Sequence, residues 1–389
     1  MRIIGNNKHV ALLLGAGFSV PAGMPTATIL NSIIKAKVYD SIRRCFKNGE
    51  DGILQSYILE KTLIDYDECY PDFNYEQYFD FLKLEKTSNF DKDKLLSFIE
   101  RGMYGYFWKC SRGGCLEKRK NNTQIKAILG EIEKKCDNYA NYVDRIIERY
   151  QNHIAHCVLG NSKNGKTETI NPCYQGFIDI VSFFVKQNYI IDIYTLNHDL
   201  LLESLLLLTP LTNKVSNGFG GEIKQIRGKN YQIYNTEYFN KQIRIYKLHG
   251  SIDIHELSYF DKPNKEYIQI VDGYSDANAF LIDNTQTATV LPLFLTGKSS
   301  KEKQYCKEPY LSMLAEFEKQ IGIAERLIVI GYSGNDDGIN NIIFENYDNW
   351  INAVIIAPDA NNHPFVKNKQ ATPINKGTES LSLNDLAIH

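Results

Sequence analysis

Two short segments more than two hundred residues apart carry the residue types that do chemistry. They are VALLLGAGFSVPAGMPTA from Val10 and YKLHGSID from Tyr246, with His249 inside the second. TLNHD begins between them at Thr195, and GYSGNDDGIN follows at Gly331. A glycine turn between a strand and a helix lets backbone N–H groups and a helix N-terminus approach a pyrophosphate. Gly15 and Gly17 fit that use, and Ser19, Gly23 and Pro25 lie in the same loop. Asn197 can donate and accept hydrogen bonds, and Asp199 can accept them from ribose hydroxyls. A histidine titrates near neutrality, so His249 suits a proton acceptor. Together the set could hold a dinucleotide and cut it.

Each feature also has a plainer use. A glycine turn after a strand can be purely structural, and so can a lone histidine. Asp199 is well placed to cap the helix DLLLESLLLL, and Asp336 to cap the one after GYSGND. A standard dinucleotide fingerprint would put a third glycine where this chain has Val20, and an acidic residue after a second strand about twenty positions on. The first turn is therefore not an ordinary dehydrogenase turn. NGFGGE at Asn217 reads as a flexible loop able to close over a ligand, or simply as a turn.

The elements that must position these residues follow an α/β rhythm at both ends of the chain. Apolar runs at His9–Leu14, Tyr189–Thr195, Ile243–Leu248, Arg326–Gly331 and Ala353–Ala357 read as buried strands. Helical patterns fall at 27–36, 177–186, 199–208, 310–321 and 337–347, and 288–296 reads as extended. β-branched runs alternating with helices predict a Rossmann-like, doubly wound parallel sheet covered on both faces. Between the first βα unit and the rest, the composition turns to charge and aromatics. YEQYFDFLKLEK, DKDKLLSFIERGMYGYFWK and the stretch from Thr123 to His156 fit amphipathic helices. The expected organisation is a discontinuous domain of 1–37 and 165–389 with a helical insertion at 38–164. The polar 364–389 is expected to be a loose tail.

The 389 residues suffice for a full core, and 43% hydrophobic with 23% charged residues is ordinary for a globular protein. A net charge of −2 argues against a surface that coats nucleic acid or an anionic membrane. RIYK and GKSSKEK are locally basic and leave a direct nucleic-acid contact open. No signal peptide is expected, since MRIIGNNKHV lacks a long apolar stretch, and no stretch approaches the ~18 uncharged apolar residues of a membrane span. Eight scattered cysteines then read as reduced thiols in a cytoplasm. The one close pair, Cys110 and Cys115, lacks the second pair a zinc ribbon needs.

In order and strand-end placement, the motifs resemble the sirtuin family. GAGFSVPAGMP resembles its GAGxSxxxGIP segment, TLNHD its TQNxD, LHG its histidine motif and GYS its glycine–serine turn. The likeness spans about residues 8–26 and 177–358. The family's protein deacylases carry a four-cysteine zinc ribbon after LHG, where this chain has only Cys306. Thr26 and Ala27 stand in place of Phe-Arg, and Leu196 in place of Gln. These departures resemble the sirtuin-like NAD hydrolases of bacterial antiphage defence, and the length is similar to short members that pair with a HerA-type ATPase. The resemblance implies NAD as substrate, no structural zinc, and a cytoplasmic homo-oligomer with such an ATPase as a partner. Gly15, Ala16, Gly17, Ser19 and Gly23 are then expected at the pyrophosphate, and Asn197, Asp199 and His249 at the reacting ribose. Gly331, Ser333 and Asp336 are expected on the adenosine side. The alternatives are a sensor of NAD or ADP-ribose, a structural subunit of a DNA-processing complex, and an NAD-dependent protein deacylase.

Overall fold

The computed structural model describes residues 8–43, 49–88, 91, 93–99, 127, 130–132, 139–160, 166–226, 228–259, 265–273, 286–288, 292–295 and 305–386. They cluster into two compact units. One is bounded by Met1–Ala27, Ala155–Leu295 and Lys301–His389, the other by Thr28–Ile154 with Thr296–Ser300.

The first unit opens with strand β1 (His9–Leu14), the short helix α1 (Ala16–Ser19) and a 3₁₀ turn that Gly23 ends at φ +79°. Helix α2 (Ala27–Arg43), longer than the sequence pattern suggests, leads into the second unit. There α3 (Gly49–Cys69), α4 (Tyr75–Glu85) and α5 (Tyr139–Val158) are amphipathic helices, and residues 93–99 are helical too. Asn74 caps α4 by accepting from the Glu76 and Gln77 N–H groups. The unit's core is aromatic, with Tyr66, Tyr78 and Phe79 fully buried. Much of the expected second and third helical stretches, with Cys110 and Cys115, lies outside the described residues.

The chain returns through α6 (Gln175–Lys186), β2 (Ile190–Thr195), α7 (Leu201–Leu207), β3 (Val215–Ser216), β4 (Phe219–Ile226), β5 (Lys229–Tyr234) and β6 (Ile243–Lys247). Next come β7 (Ile254–Tyr259), β8 (Lys265–Ile270), β9 (Gln286–Ala288), α8 (Tyr310–Ile321) and β10 (Arg326–Ile330). The last elements are α9 (Asp337–Asn346), β11 (Ala353–Ala357), α10 (Pro364–Lys369) and β12 (Thr372–Asn375).

Seven strands form one sheet in the order β12-β11-β10-β1-β2-β6-β3, parallel throughout. The expected doubly wound parallel sheet is thus present. Alternate residues of each strand face opposite layers. Val10, Leu12, Ile191, Ile193, Ile243 and Ile245 pack with α6 and α7. Ala11, Leu13, Tyr194, Tyr246 and Val329 pack with α8 and α9. β1 is central. The chain builds outward from it through β2 and β6, then crosses back to build β10, β11 and β12 on its other side. The topological switch point therefore lies between β1 and β10.

Two expectations are corrected. NGFGGE is not a free loop. Phe219 opens β4 in a five-stranded antiparallel sheet, order β4-β5-β8-β7-β9, and Asn217 is tied down by donating to Gln269 Oε1 at 2.8 Å. Residues 364–386 are not a loose tail. β12 pairs parallel with β11, and Leu381 and Leu386 join the core under α6. Of the expected extended stretch 288–296, Phe294 bridges Gly250, and the rest of what is described is Ala288 at the end of β9 and residues 292–295.

Candidate active site at the carboxyl ends of the central strands

Every residue singled out in the motifs sits just past the carboxyl end of a central strand or in the turn that follows. Gly15 follows β1, Asn197 follows β2, His249 follows β6 and Gly331 follows β10. Open α/β sheets bind ligands in this crevice, at the switch point.

The two glycine turns are built against each other. The Gly15 N–H donates to Ile330 O at 3.0 Å and the Gly17 N–H to Gly331 O at 2.9 Å. A Cβ on Gly15 would stand 2.6 Å from Tyr332 Cα, and one on Gly331, at φ +64°, 2.2 Å from the Phe18 nitrogen. Both turns need glycine for this approach. The N–H groups of Gly15 and Gly17, expected at a pyrophosphate, are spent on β10. Ala16 and Gly23 in the first turn and Ser333 and Asn335 in the second are exposed.

Asn197 bridges to the first turn. Its Nδ2 donates to Gly15 O at 2.9 Å and to Ser19 Oγ at 3.0 Å, and its own N–H donates to Thr195 Oγ1 at 3.1 Å. With both amide hydrogens taken inside the protein, Oδ1 is left as its acceptor. Asp199 does cap: Oδ1 accepts from the Leu201 N–H at 3.0 Å. It also belongs to the site through a hydrogen bond with Ser19. Burial pushes its carboxyl above the ordinary aspartate range, with the Lys247 charge, the Leu201 N–H and Ser19 pulling the other way. Lys247 is buried, donates from Nζ to Asp199 O, and lies 3.2 Å from Glu203. Glu203 makes no hydrogen bond of good geometry there, so the contact is an ion pair of charge alone. Sequence reasoning missed this lysine, because lysines are seldom fully buried.

His249 is 5% exposed. Gly250, at φ +81°, lets the chain turn directly beneath Leu293, whose carbonyl would lie 2.0 Å from a Cβ there. The His249 carbonyl accepts from the Leu295 N–H at 2.8 Å, which clamps the turn. Asp336 is not set apart with Ser333. Its Oδ1 caps α9 through the Ile339 N–H, and its Oδ2 lies 3.2 Å from His249 Nε2. The Tyr305 hydroxyl, which no motif flagged, is 2.9 Å from the same nitrogen. The His198 ring lies 6.4 Å from that of His249 and 4.9 Å from that of Phe294.

Behind the second turn, His363 is buried against Tyr332 and Phe365, at 5.7 and 4.7 Å between ring centroids. Its Nδ1 accepts from the Phe365 N–H, and its Nε2 has no partner among the described residues. Burial pushes this imidazole down to about 4. Among the described residues no group of three or more His, Cys, Asp or Glu could hold a metal ion, and no helix is long and apolar enough to cross a membrane.

No protein-family model matches the chain, and no curated protein matches it. Among solved structures it is similar to a mutant Sir2 homologue–ADP-ribose complex. That match has 12% identity over 98% of this chain and 91% of that one, with a TM-score of 0.42. It is also similar to a Sir2 homologue–NAD complex, at 12% identity over 98% and 89% of the two chains, with a TM-score of 0.42.

Proposed function

We propose that the chain is an NAD⁺ nucleosidase that cleaves the nicotinamide–ribose bond to give nicotinamide and ADP-ribose. The observation that carries this reading is the convergence of Asn197, Asp199 and His249 beside two interlocked glycine turns, at the switch point where such sheets bind nucleotides. Nicotinamide leaves as a neutral group from a cationic precursor, so the transition state is oxocarbenium-like and gains from nearby acceptors. Asn197 Oδ1 faces the nicotinamide ribose and orients the attacking water. Asp199 supports that ribose through Ser19. His249 takes the proton the water gives up. Ala16, Ser19 and Gly23 line the pyrophosphate side, with Gly15 and Gly17 shaping it, and Ser333 with Gly331 lies toward the adenosine. Asp336 serves His249 instead of the adenosine.

The motif resemblance extends the proposal. The reaction would deplete NAD in antiphage defence, in a cytoplasmic homo-oligomer held in check until a partner such as a HerA-type ATPase, or an invader, releases it.

The test is NAD turnover by the purified chain, with nicotinamide and ADP-ribose separated by chromatography. His249→Ala and Asn197→Ala should each lower kcat/KM by about 10²–10⁴. Wild-type rates in His249→Ala would remove the base assigned here. Tight NAD binding without turnover, alone or with partner, would make the chain a sensor. Turnover that depends on an acylated peptide would make it a deacylase. Neither binding nor turnover would end the NAD reading.

A further inference from the structure

His249 Nε2 faces two side chains at once, the Tyr305 hydroxyl at 2.9 Å and Asp336 Oδ2 at 3.2 Å. The hydrogen-bond geometry at Nε2 belongs to the Tyr305 hydroxyl, and the Asp336 carboxylate beside it, which repels a bare ring lone pair, favours a hydrogen on Nε2 by charge. That hydrogen fills the lone pair a base would use. A hydroxyl both gives and accepts, so Tyr305 tolerates the loaded nitrogen as an acceptor.

The two partners are held differently. Asp336 is fixed by its cap on the Ile339 N–H at 3.1 Å and by the Tyr332 hydroxyl. That hydroxyl accepts from the Asp336 N–H at 3.1 Å and donates to its carbonyl at 3.2 Å. Tyr305 is half-buried and precedes α8. Among the described residues, the His198 ring at 6.4 Å and Tyr310, whose hydroxyl packs against Gly250, are further titratable groups near His249.

We infer that Asp336 and Tyr305 are positioning residues for His249: Asp336 keeps a hydrogen on Nε2, and Tyr305 holds the place that a substrate hydroxyl or water must take. This rests on the reading of His249 as a proton acceptor. Before His249 can accept a proton at Nε2, the ring must gain a hydrogen at Nδ1 as the resident one leaves Nε2 for the Asp336 carboxylate or solvent, and the Tyr305 hydroxyl must give way. The arrangement keeps the base off at rest.

The experiment combines nitrogen NMR of the full chain labelled in its histidines, assigned with His249→Gln, and NAD kinetics. In the wild type at neutral pH, Nε2 of His249 should show a bound hydrogen. Asp336→Asn keeps the cap, because its Oδ1 can still accept from Ile339. It then turns an amide N–H toward His249, so Nε2 must accept, and the ring hydrogen should move to Nδ1. A merely structural aspartate would leave that signature unmoved. Tyr305→Phe should lower the KM for NAD about threefold or more, with kcat changed less than about twofold. If no turnover is seen, the same direction should be read in NAD binding. An unprotonated Nε2 in the wild type, an unchanged tautomer in Asp336→Asn, or an unchanged or raised KM in Tyr305→Phe would each overturn the inference. A chain that ignores NAD yet inverts its tautomer in Asp336→Asn would sink the NAD reading and keep the Asp336 assignment.

Discussion

The two ends of the parallel sheet treat buried charge in opposite ways. At the amino end, Asp192 accepts from Arg244 Nε at 2.6 Å and from its second guanidinium nitrogen at 2.8 Å. His9 Nδ1 lies 3.1 Å away, and Gln320 accepts from the same guanidinium at 3.3 Å. Both carboxylate oxygens and the planar fork are matched, and Asp192 is 1% exposed. At the carboxyl end, Asn197 keeps an uncommitted acceptor, His249 has two partners on one nitrogen, and Ala16 and Ser333 open to solvent. The first cluster is closed on itself and holds the sheet together. The second keeps hydrogen-bonding groups that a ligand could use.

Arg244→Met should break the closed end and have the largest effect. It strands the Asp192 carboxylate, and leaving one partner of a buried pair costs about 3–5 kcal/mol. Denaturant unfolding should show that loss, while the KM for NAD in the folded fraction stays put. Gly331→Ala tests the open end. The new Cβ would meet the Phe18 nitrogen, so the strained backbone costs about 1–3 kcal/mol, and NAD affinity should fall as the two turns separate. Gly228→Ala is its control. With φ at +75° and nothing within 4 Å of the new Cβ, it should carry only the backbone cost of about 1 kcal/mol and leave binding unchanged.

A pH dependence sharpens the contrast further. His363 titrates at about 4 in the fold and near 6.5 when unfolded. A depressed histidine contributes stability that is complete above the unfolded value and drains away as pH falls through the folded one. The carboxyl end should therefore lose on the order of 1–2 kcal/mol between pH 7 and 5. His363→Asn, which can still cap the Phe365 N–H, should flatten that part of the stability curve. An identical slope in the variant would locate the acid sensitivity elsewhere.

Strands β1, β2, β6, β10 and β11 were legible because each is a short apolar run bounded by glycine or a polar turn, as in RLIVIG and AVIIA. The antiparallel sheet was not. Glycines in FGGEIKQI imitate a loop, and the hairpin at Gly228 has no apolar alternation strong enough to outweigh them. β12 was hidden by its four-residue length and by Pro373, which an edge strand tolerates. The site's motif residues were legible as turns after strands. What each turn does was not, because the commitment of the Gly15 and Gly17 N–H groups to β10 depends on which strands become neighbours. Tyr305 stands outside any motif, and Lys247 inside YKLHGSID carries no signal of burial, so only tertiary packing brings them in.

One hydrogen bond carries a consequence for the timing of synthesis. Thr378 donates to Gly17 O at 3.2 Å, a contact 361 residues apart in the chain. β1 is also flanked by β2 and β10, both made much later. A ribosome that has delivered GAGFS has therefore delivered a turn without walls. Asn197 arrives after the entire helical segment, Gly331 later still, and Thr378 almost at the end. The candidate site is thus assembled last, and a nascent or truncated chain lacks the walls of that site.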